Sequence, residues 1–470
     1  MPARVALDTD ELIAALESGI ERAAGRDRPV LVSATAPIDP EVDPSAIAFG
    51  SRRAGDRWFC WEHPDRDRFA LSGIGSAREV VSRGDSRFAD AARDCAAIAR
   101  ELISAGPSDL PSGAGAVFTG GFSFDPGGGR GSHWSSLPPA LLVLPELSLW
   151  RRGRSAFATA TVVATGEGAN EAVPRVRARL AGLEAAALPP PGPGAFLATR
   201  VRSLLEPRHY EDAVARAVAR IAAGDAEKIV LAREVLVEAE AAHDPAVLFG
   251  ALRQLFPECF SFCCGTSEAA FLGASPELLV RRAGAVAATV GLAGSTRRSA
   301  DPAVDDHLGE SLLRSAKDRE EHSIVVRRIE RALRPLAVWV DADDEPAIAK
   351  VANIQHLATP IRAQLAEPRS AVELAAALHP TPAVGGEPRH SALDAIAEFE
   401  GVDRGWYAGP VGWMDAAEDG EFCVALRSAL LRDRTAHLYA GAGIVADSDP
   451  AAELAETELK LDALLPLVTS

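Results

Sequence analysis

Cysteine is scarce, with six in 470 residues: Cys60, Cys95, Cys259, Cys263, Cys264 and Cys423. None forms a CxxC pair and no histidine cluster accompanies them, so a structural zinc site is not expected. Reduced, mostly buried thiols in a cytosolic protein are the expectation. No Lys/Arg-rich run is present and the net charge is -17, which argues against a nucleic-acid partner. So acidic a chain holds a small anion only through a local positive site or a metal. No apolar run is long enough to span a membrane: the most apolar stretch, residues 137–150, is broken by Pro138, Pro139, Pro145 and Glu146. Asp8, Asp10 and Glu11 beside Leu12, Ile13 and Leu16 read as a capped amphipathic helix and not as a signal peptide. No GxGxxG opens a helix, which disfavours a dinucleotide fold.

What is present suffices for a full core: 47 % of residues are hydrophobic and 24 % charged. The segment Leu188-Pro-Pro-Pro-Gly-Pro-Gly194 can continue neither a helix nor a central strand. It divides residues 1–190, an N-terminal half of one large fold, from residues 195–470, the catalytic region. Gly127-Gly128-Gly129 reads as a surface loop. Strands are expected at 30–33, 58–62, 157–163, 228–233, 269–273, 409–414, 422–431 and 438–444. Helices are expected at 91–105, from Tyr210 to a stop at Gly224, over 302–333 as one long element, and at 451–464. Strands in hairpin-like runs with helices outside them favour an α+β fold with antiparallel sheets.

Four places could carry chemistry. Lys228 heads an apolar strand, either as an outward edge lysine or as a desolvated amine fit to be a general base. Glu277 follows Pro276, either as a helix N-terminal carboxylate or as an acid kept protonated in a closed site. Lys317-Asp-Arg-Glu-Glu-His322 is either a solvated face stitched by i,i+4 pairs or carries one inward ligand, Glu321. After Gly441-Ala-Gly-Ile-Val445, Asp449 or Ser448 can cap a helix with Pro450 at its first position. Glu453, Glu456 and Lys460 then share one helix face, as a surface ladder or as part of a site.

The motifs occur together and in order. Glu227-Lys-Ile-Val-Leu-Ala-Arg233, Gly273-Ala-Ser-Pro-Glu277, Leu292-Ala-Gly-Ser-Thr296, Lys317 to His322, His379-Pro-Thr-Pro-Ala-Val-Gly-Gly386, Gly405-Trp-Tyr-Ala-Gly-Pro410 and Gly441 to Lys460 resemble the signature of the chorismate-utilising enzymes over about residues 200–465. Residues 59–64 and 120–126 resemble the N-terminal half of that family's isochorismate-forming members.

The resemblance implies a chorismate-utilising fold, with large antiparallel sheets packed face to face and helices outside. It implies an isochorismate synthase reaction on chorismate, with Lys228 as base toward water and Glu277 as acid toward the leaving hydroxyl. Glu321 and Glu456 would hold Mg²⁺, with Glu453 and either Glu320 or Asp318 orienting its waters. Gly294, Ser295, Thr296, His356, Ala383, Arg427, Gly441 and Lys460 would contact the substrate. A lone histidine such as His356 is as readily a packed core residue. Ammonia-using relatives usually have glutamine in place of Lys228, so no glutaminase subunit is expected, and the chain is expected to act as a cytoplasmic monomer. A salicylate synthase keeps the same lysine and glutamate and is the second reading. An inactive chorismate-binding regulatory subunit is the third. The extended N-terminal half resembles menaquinone-type enzymes more than siderophore-type ones.

Overall fold

Two long β-sheets lie face to face, and paired strands run from one into the other in two places. The computed structural model describes residues 3–4, 9–24, 26, 28–164, 169–185, 187–190, 199–351 and 354–469. The larger sheet has thirteen strands. It starts at Arg200–Ser203 and continues through Lys228–Glu238, Thr435–Ile444, Ser428–Arg432, Ala270–Ser275 and Phe260–Gly265. Trp58–His63 and Phe69–Ile74 then carry it into the N-terminal half. The smaller sheet has ten strands and likewise mixes the halves, with Val117–Phe122 beside Pro410–Asp415. Among the described residues all pairings are antiparallel except Val30–Pro37 with Ile103–Ala105, so the expected α+β architecture is the one observed.

Strand alternation explains the two cores. Phe59 and Trp61 belong to the core between the sheets, with Phe262, Phe271, Phe122 and Phe422. Their neighbours Trp58 and Cys60 belong to a second core, under outer helices such as Asp10–Ala23 and Pro245–Leu255. A strand covered on both faces is apolar throughout, and each large side chain so buried contributes roughly 1.5–3 kcal/mol. The six cysteines are all buried and free. Among the described residues no helix is long and apolar enough to cross a membrane.

Several elements depart from the sequence expectation. The helix expected over 302–333 is two, Pro302–Arg314 and Ala316–Leu333. Ser315 breaks it with an extended ψ of 114° and caps the second helix by accepting from the Asp318 amide. That break resets the phase: Val304 is exposed, and the buried stripe of the second helix is His322, Val325, Ile329 and Leu333. The helix expected at 91–105 runs Arg87–Glu101, and Ile103–Ala105 leaves it as a strand. The N-terminal helix Asp10–Ala23 forms, but Thr9 makes no side-chain cap. The strand expected at 422–431 is two, Gly420–Val424 and Ser428–Arg432, in different sheets. Residues 191–194 of the Pro/Gly segment lie outside the described residues.

Candidate active site

One of the two ribbons that join the sheets sets the site. Ala270–Ser275 lies in the larger sheet and Leu278–Ala283 in the smaller, so Pro276 and Glu277 are the crossing. Its partner crosses the other way, from Gly420–Val424 to Ser428–Arg432 through Ala425, Leu426 and Arg427. The crossings are tied together. The Val424 amide donates to the Glu277 carbonyl at 3.0 Å, and the Ser275 hydroxyl donates to the Val424 carbonyl at 2.5 Å. Arg427 turns at φ +46°, in the left-handed region. Glu277 is therefore not at a helix N-terminus: it projects from a sheet-to-sheet crossing, with no run of free amides to stabilise its charge.

Glu277 opens into a cavity of about 320 Å³, at the small end of the roughly 300–1,000 Å³ typical of small-molecule pockets. Every expected site residue lines this cavity except Thr296 and Glu320. Ser295 faces it, and strand alternation turns Thr296, paired in register with Gln355, to the opposite face. Glu320 stands in solvent on the helix Ala316–Leu333 and reaches Arg327 at 3.3 Å. Glu321, one residue on, points inward from the same helix, as do Lys317 and Asp318.

Lys228 is 2 % exposed, so it is not an outward edge lysine. Its Nζ donates to Glu321 Oε1 at 2.7 Å. The amine is buried, and it is ion-paired to one of the expected metal ligands. Burial works to raise Glu321, but the charge and hydrogen bond of Lys228, with Lys460 and Lys317 beyond, hold it below the ordinary glutamate value. Glu277 goes the other way. Burial pushes it up to about 7, against the Thr381 hydroxyl at 3.3 Å and the charges of Lys228 and Lys460.

The strand opposite Lys228 has to be bare. A Cβ on Gly443 would lie 2.7 Å from Lys228 Cε and 3.2 Å from its Nζ. Gly443→Ala is therefore expected to fold, because only a flexible side chain must yield, and to lose turnover as the amine is displaced. Circular dichroism and kcat measured together check this; full turnover would mean that the amine's position does not matter.

The remaining wall carries charge. The Asp449 side chain accepts from the Ala452 amide and starts helix Pro450–Leu461. Glu453, Glu456 and Lys460 all face the cavity from it. Lys460 Nζ donates to Glu456 at 2.7 Å and to the Gly441 carbonyl at 2.9 Å. Burial and the neighbouring Glu456 raise Glu453 above the ordinary glutamate value, with the Ser448 hydroxyl opposing. Two buried polar atoms in this wall have no partner, Arg427 Nη1 and His356 Nε2. Burial, then the charges of Arg427 and Lys460, push His356 down to about 3, so it is neutral. Its Nδ1 lies 3.3 Å from the Gly294 carbonyl. Nδ1 therefore holds the hydrogen and Nε2 is left as an acceptor. Gly294 itself sits at φ +70° in a bulge between Ala293 and Ser295, which aims that carbonyl.

Three lining residues, and one that bonds Glu277 from behind, were given no role from the sequence. Tyr407 and Tyr439 stack at 5.2 Å along one wall, Thr381 bonds Glu277, and Lys317 adds a cation. Tyr407 and Thr381 sit inside quoted motifs, and Tyr439 lies two residues before Gly441. The alternation of strand Thr435–Ile444 would have placed Tyr439 on the face of Gly441 and Gly443.

Comparison with known proteins adds four findings. The family described as chorismate binding enzyme matches residues 18–469. The salicylate biosynthesis isochorismate synthase of Pseudomonas aeruginosa is 40 % identical over 96 % of this chain and 93 % of that protein. The isochorismate synthase MenF of Bacillus subtilis is 33 % identical over 93 % of each. Among solved structures, the menaquinone-specific isochorismate synthase MenF of Escherichia coli superposes with a TM-score of 0.79. That match is at 27 % identity over 98 % of this chain and 100 % of that one.

Proposed function

The chain belongs to the chorismate binding enzymes, and from that membership we propose how its cavity works as an isochorismate synthase. The enzyme converts chorismate to isochorismate, with relatives of that activity aligned along almost the whole chain. The observation that carries the site assignment is that Glu277, pushed up to about 7 by burial, shares one cavity with the buried Lys228.

In this reading Lys228 takes a proton from water as the oxygen bonds to ring C2. The ring double bonds shift, the bond from C4 to its hydroxyl oxygen breaks, and Glu277 gives its proton to that oxygen, which leaves as water. Lys228 acts as base only when its amine is free of Glu321. Glu277 suits the acid because burial keeps its proton available near neutral pH. Arg427 offers an unpaired buried guanidinium nitrogen to a substrate carboxylate. His356 Nε2 can accept from a substrate hydroxyl, which relieves the roughly 1–3 kcal/mol that an unmet buried polar atom costs.

The donor set fits a hard divalent cation. Apart from Glu277, four cations and four carboxylates line the cavity: Lys228, Lys317, Arg427 and Lys460 against Asp318, Glu321, Glu453 and Glu456. A dianionic substrate entering that balance needs two further positive charges. Glu321 and Glu456, from separate helices, would hold Mg²⁺, with Glu453 beside them, and oxygen-only donors suit that ion. Bound there, Mg²⁺ would supply the charge that lets a second anion enter and orients its carboxylate.

Incubation of the protein with chorismate and Mg²⁺, with products separated, tests the reading. Isochorismate alone is expected. Salicylate with stoichiometric pyruvate would make it a salicylate synthase, and no turnover would leave the regulatory-subunit reading.

A further inference from the structure

A second cluster of ligand-type side chains stands on the strand pair that carries Lys228 and Gly443. Glu234 is on Lys228–Glu238 and His437 on Thr435–Ile444, and His133 reaches them from the turn Ser132–Trp134. In the register, Glu234 pairs with Tyr439 and Leu236 with His437, so alternation puts Glu234 and His437 on the face of Lys228 and Gly443. Six residues separate Glu234 from Lys228, about 20 Å along the strand, so this is a separate place on the same face.

One ligand atom from each of His133, Glu234 and His437 lies within 4.8 Å of the others. Glu234 Oε1 meets His437 Nδ1 at 2.7 Å. Its other oxygen, Oε2, is buried and makes no hydrogen bond of normal geometry, and the side chain is 1 % exposed. The Tyr439 hydroxyl lies against this carboxylate, and a buried carboxylate is costly without a positive partner. Arg432, whose charge reaches His133, turns instead to the Ser132 carbonyl and to Glu268.

We propose that His133, Glu234 and His437 form a second metal site, for a Zn²⁺-class divalent cation, distinct from the catalytic carboxylates. Two imidazoles and one carboxylate are the three-ligand set that zinc takes while leaving one position open. Imidazole donors favour the later first-row metals over Mg²⁺. A Zn–N bond near 2.1 Å puts two ligands on one ion about 3.4 Å apart, so the ligand atoms must close in. The rings of His133 and His437 stack nearly parallel at 4.5 Å. The half-buried His133, on a short 3-10 turn, is the ring that must swing. That swing reaches the catalytic cavity. Tyr439 lines that cavity, and its hydroxyl lies 3.3 Å from His133 Nε2. Filling the site takes a hydrogen-bond partner from a residue of the substrate wall.

The test titrates Zn²⁺ into the whole protein by calorimetry in excess Mg²⁺, which saturates the catalytic carboxylates, and repeats it with Co²⁺ read by its d–d absorption. One ion per chain is expected, with a four-coordinate Co²⁺ spectrum. His133→Ala and His437→Gln should each weaken binding at least about 10–100-fold, the loss typical of even an outer-shell change at a metal site. Glu456→Gln should leave it unchanged. Thermal melts of both histidine variants confirm that they fold, and His133, being half-exposed, is the safer of the two. No bound zinc in excess Mg²⁺, or undiminished binding in both histidine variants, overturns the proposal. Loss of binding in Glu456→Gln alone would place the ion at the catalytic carboxylates and overturn it too.

Discussion

Lys228→Ala is expected to lower turnover by about 10²–10⁴-fold, the range a positioned general base supplies, while the fold survives. The survival follows from the partner. Truncating Lys228 leaves Glu321 without its ammonium, and an unpaired buried charge is ordinarily severe. Glu321, however, keeps 23 % of its side chain exposed and can take water instead. The same ion pair supplies a control. If Lys228 served only to hold Glu321, its removal would change the divalent-cation requirement and leave kcat intact at saturating Mg²⁺. If Lys228 is the base, kcat stays low at any Mg²⁺ concentration and the Mg²⁺ requirement does not rise. A variant turning over near the wild-type rate would remove the base from the scheme.

Glu277→Gln should cost a similar factor and also change the pH profile, which separates an acid from a merely polar wall. Glu277 acts in its protonated form, and burial sets its value at about 7. In the free enzyme kcat/KM should fall as pH rises through that value, because the acid loses its proton. Below it the proton is in place and the Glu277 contribution is full. In Glu277→Gln the residual activity should show no such alkaline limb, while chorismate still binds, since the amide fills the same volume. Wild-type activity in this variant, or the same limb persisting in its residual rate, would exclude Glu277 as the acid.

The sequence located most of the site and misjudged some of the elements that carry it. Lys228, Glu277, Glu321, Arg427 and Glu456 were identified by a resemblance carried on short ordered motifs, and all five line one cavity. Thr296 and Glu320 were placed in it by the same resemblance. Both were lost to geometry, Thr296 to the period of two along a strand and Glu320 to the turn of roughly 100° per residue around a helix. The single strand expected at 422–431 shows the limit of periodicity. Both flanks are apolar because each is buried in a different sheet, so hydropathy runs on smoothly where the chain changes sheets. The break at Ser315 was hidden for a related reason, since two successive helices with apolar stripes read as one long stripe when their phase shift is ignored.

By itself the sequence determined the α+β class, the family and the reaction, and it supplied the candidate proton-transfer and carboxylate residues, because these rest on residue types in short, ordered motifs. The tertiary structure alone decided that Lys228 is ion-paired to Glu321, that burial lifts Glu277 to near neutrality, and that His133, Glu234 and His437 meet. Those facts depend on desolvation and on contacts between residues about a hundred or more positions apart along the chain. Neither is a property of any local stretch: a side chain's charge state is set by what the fold packs around it.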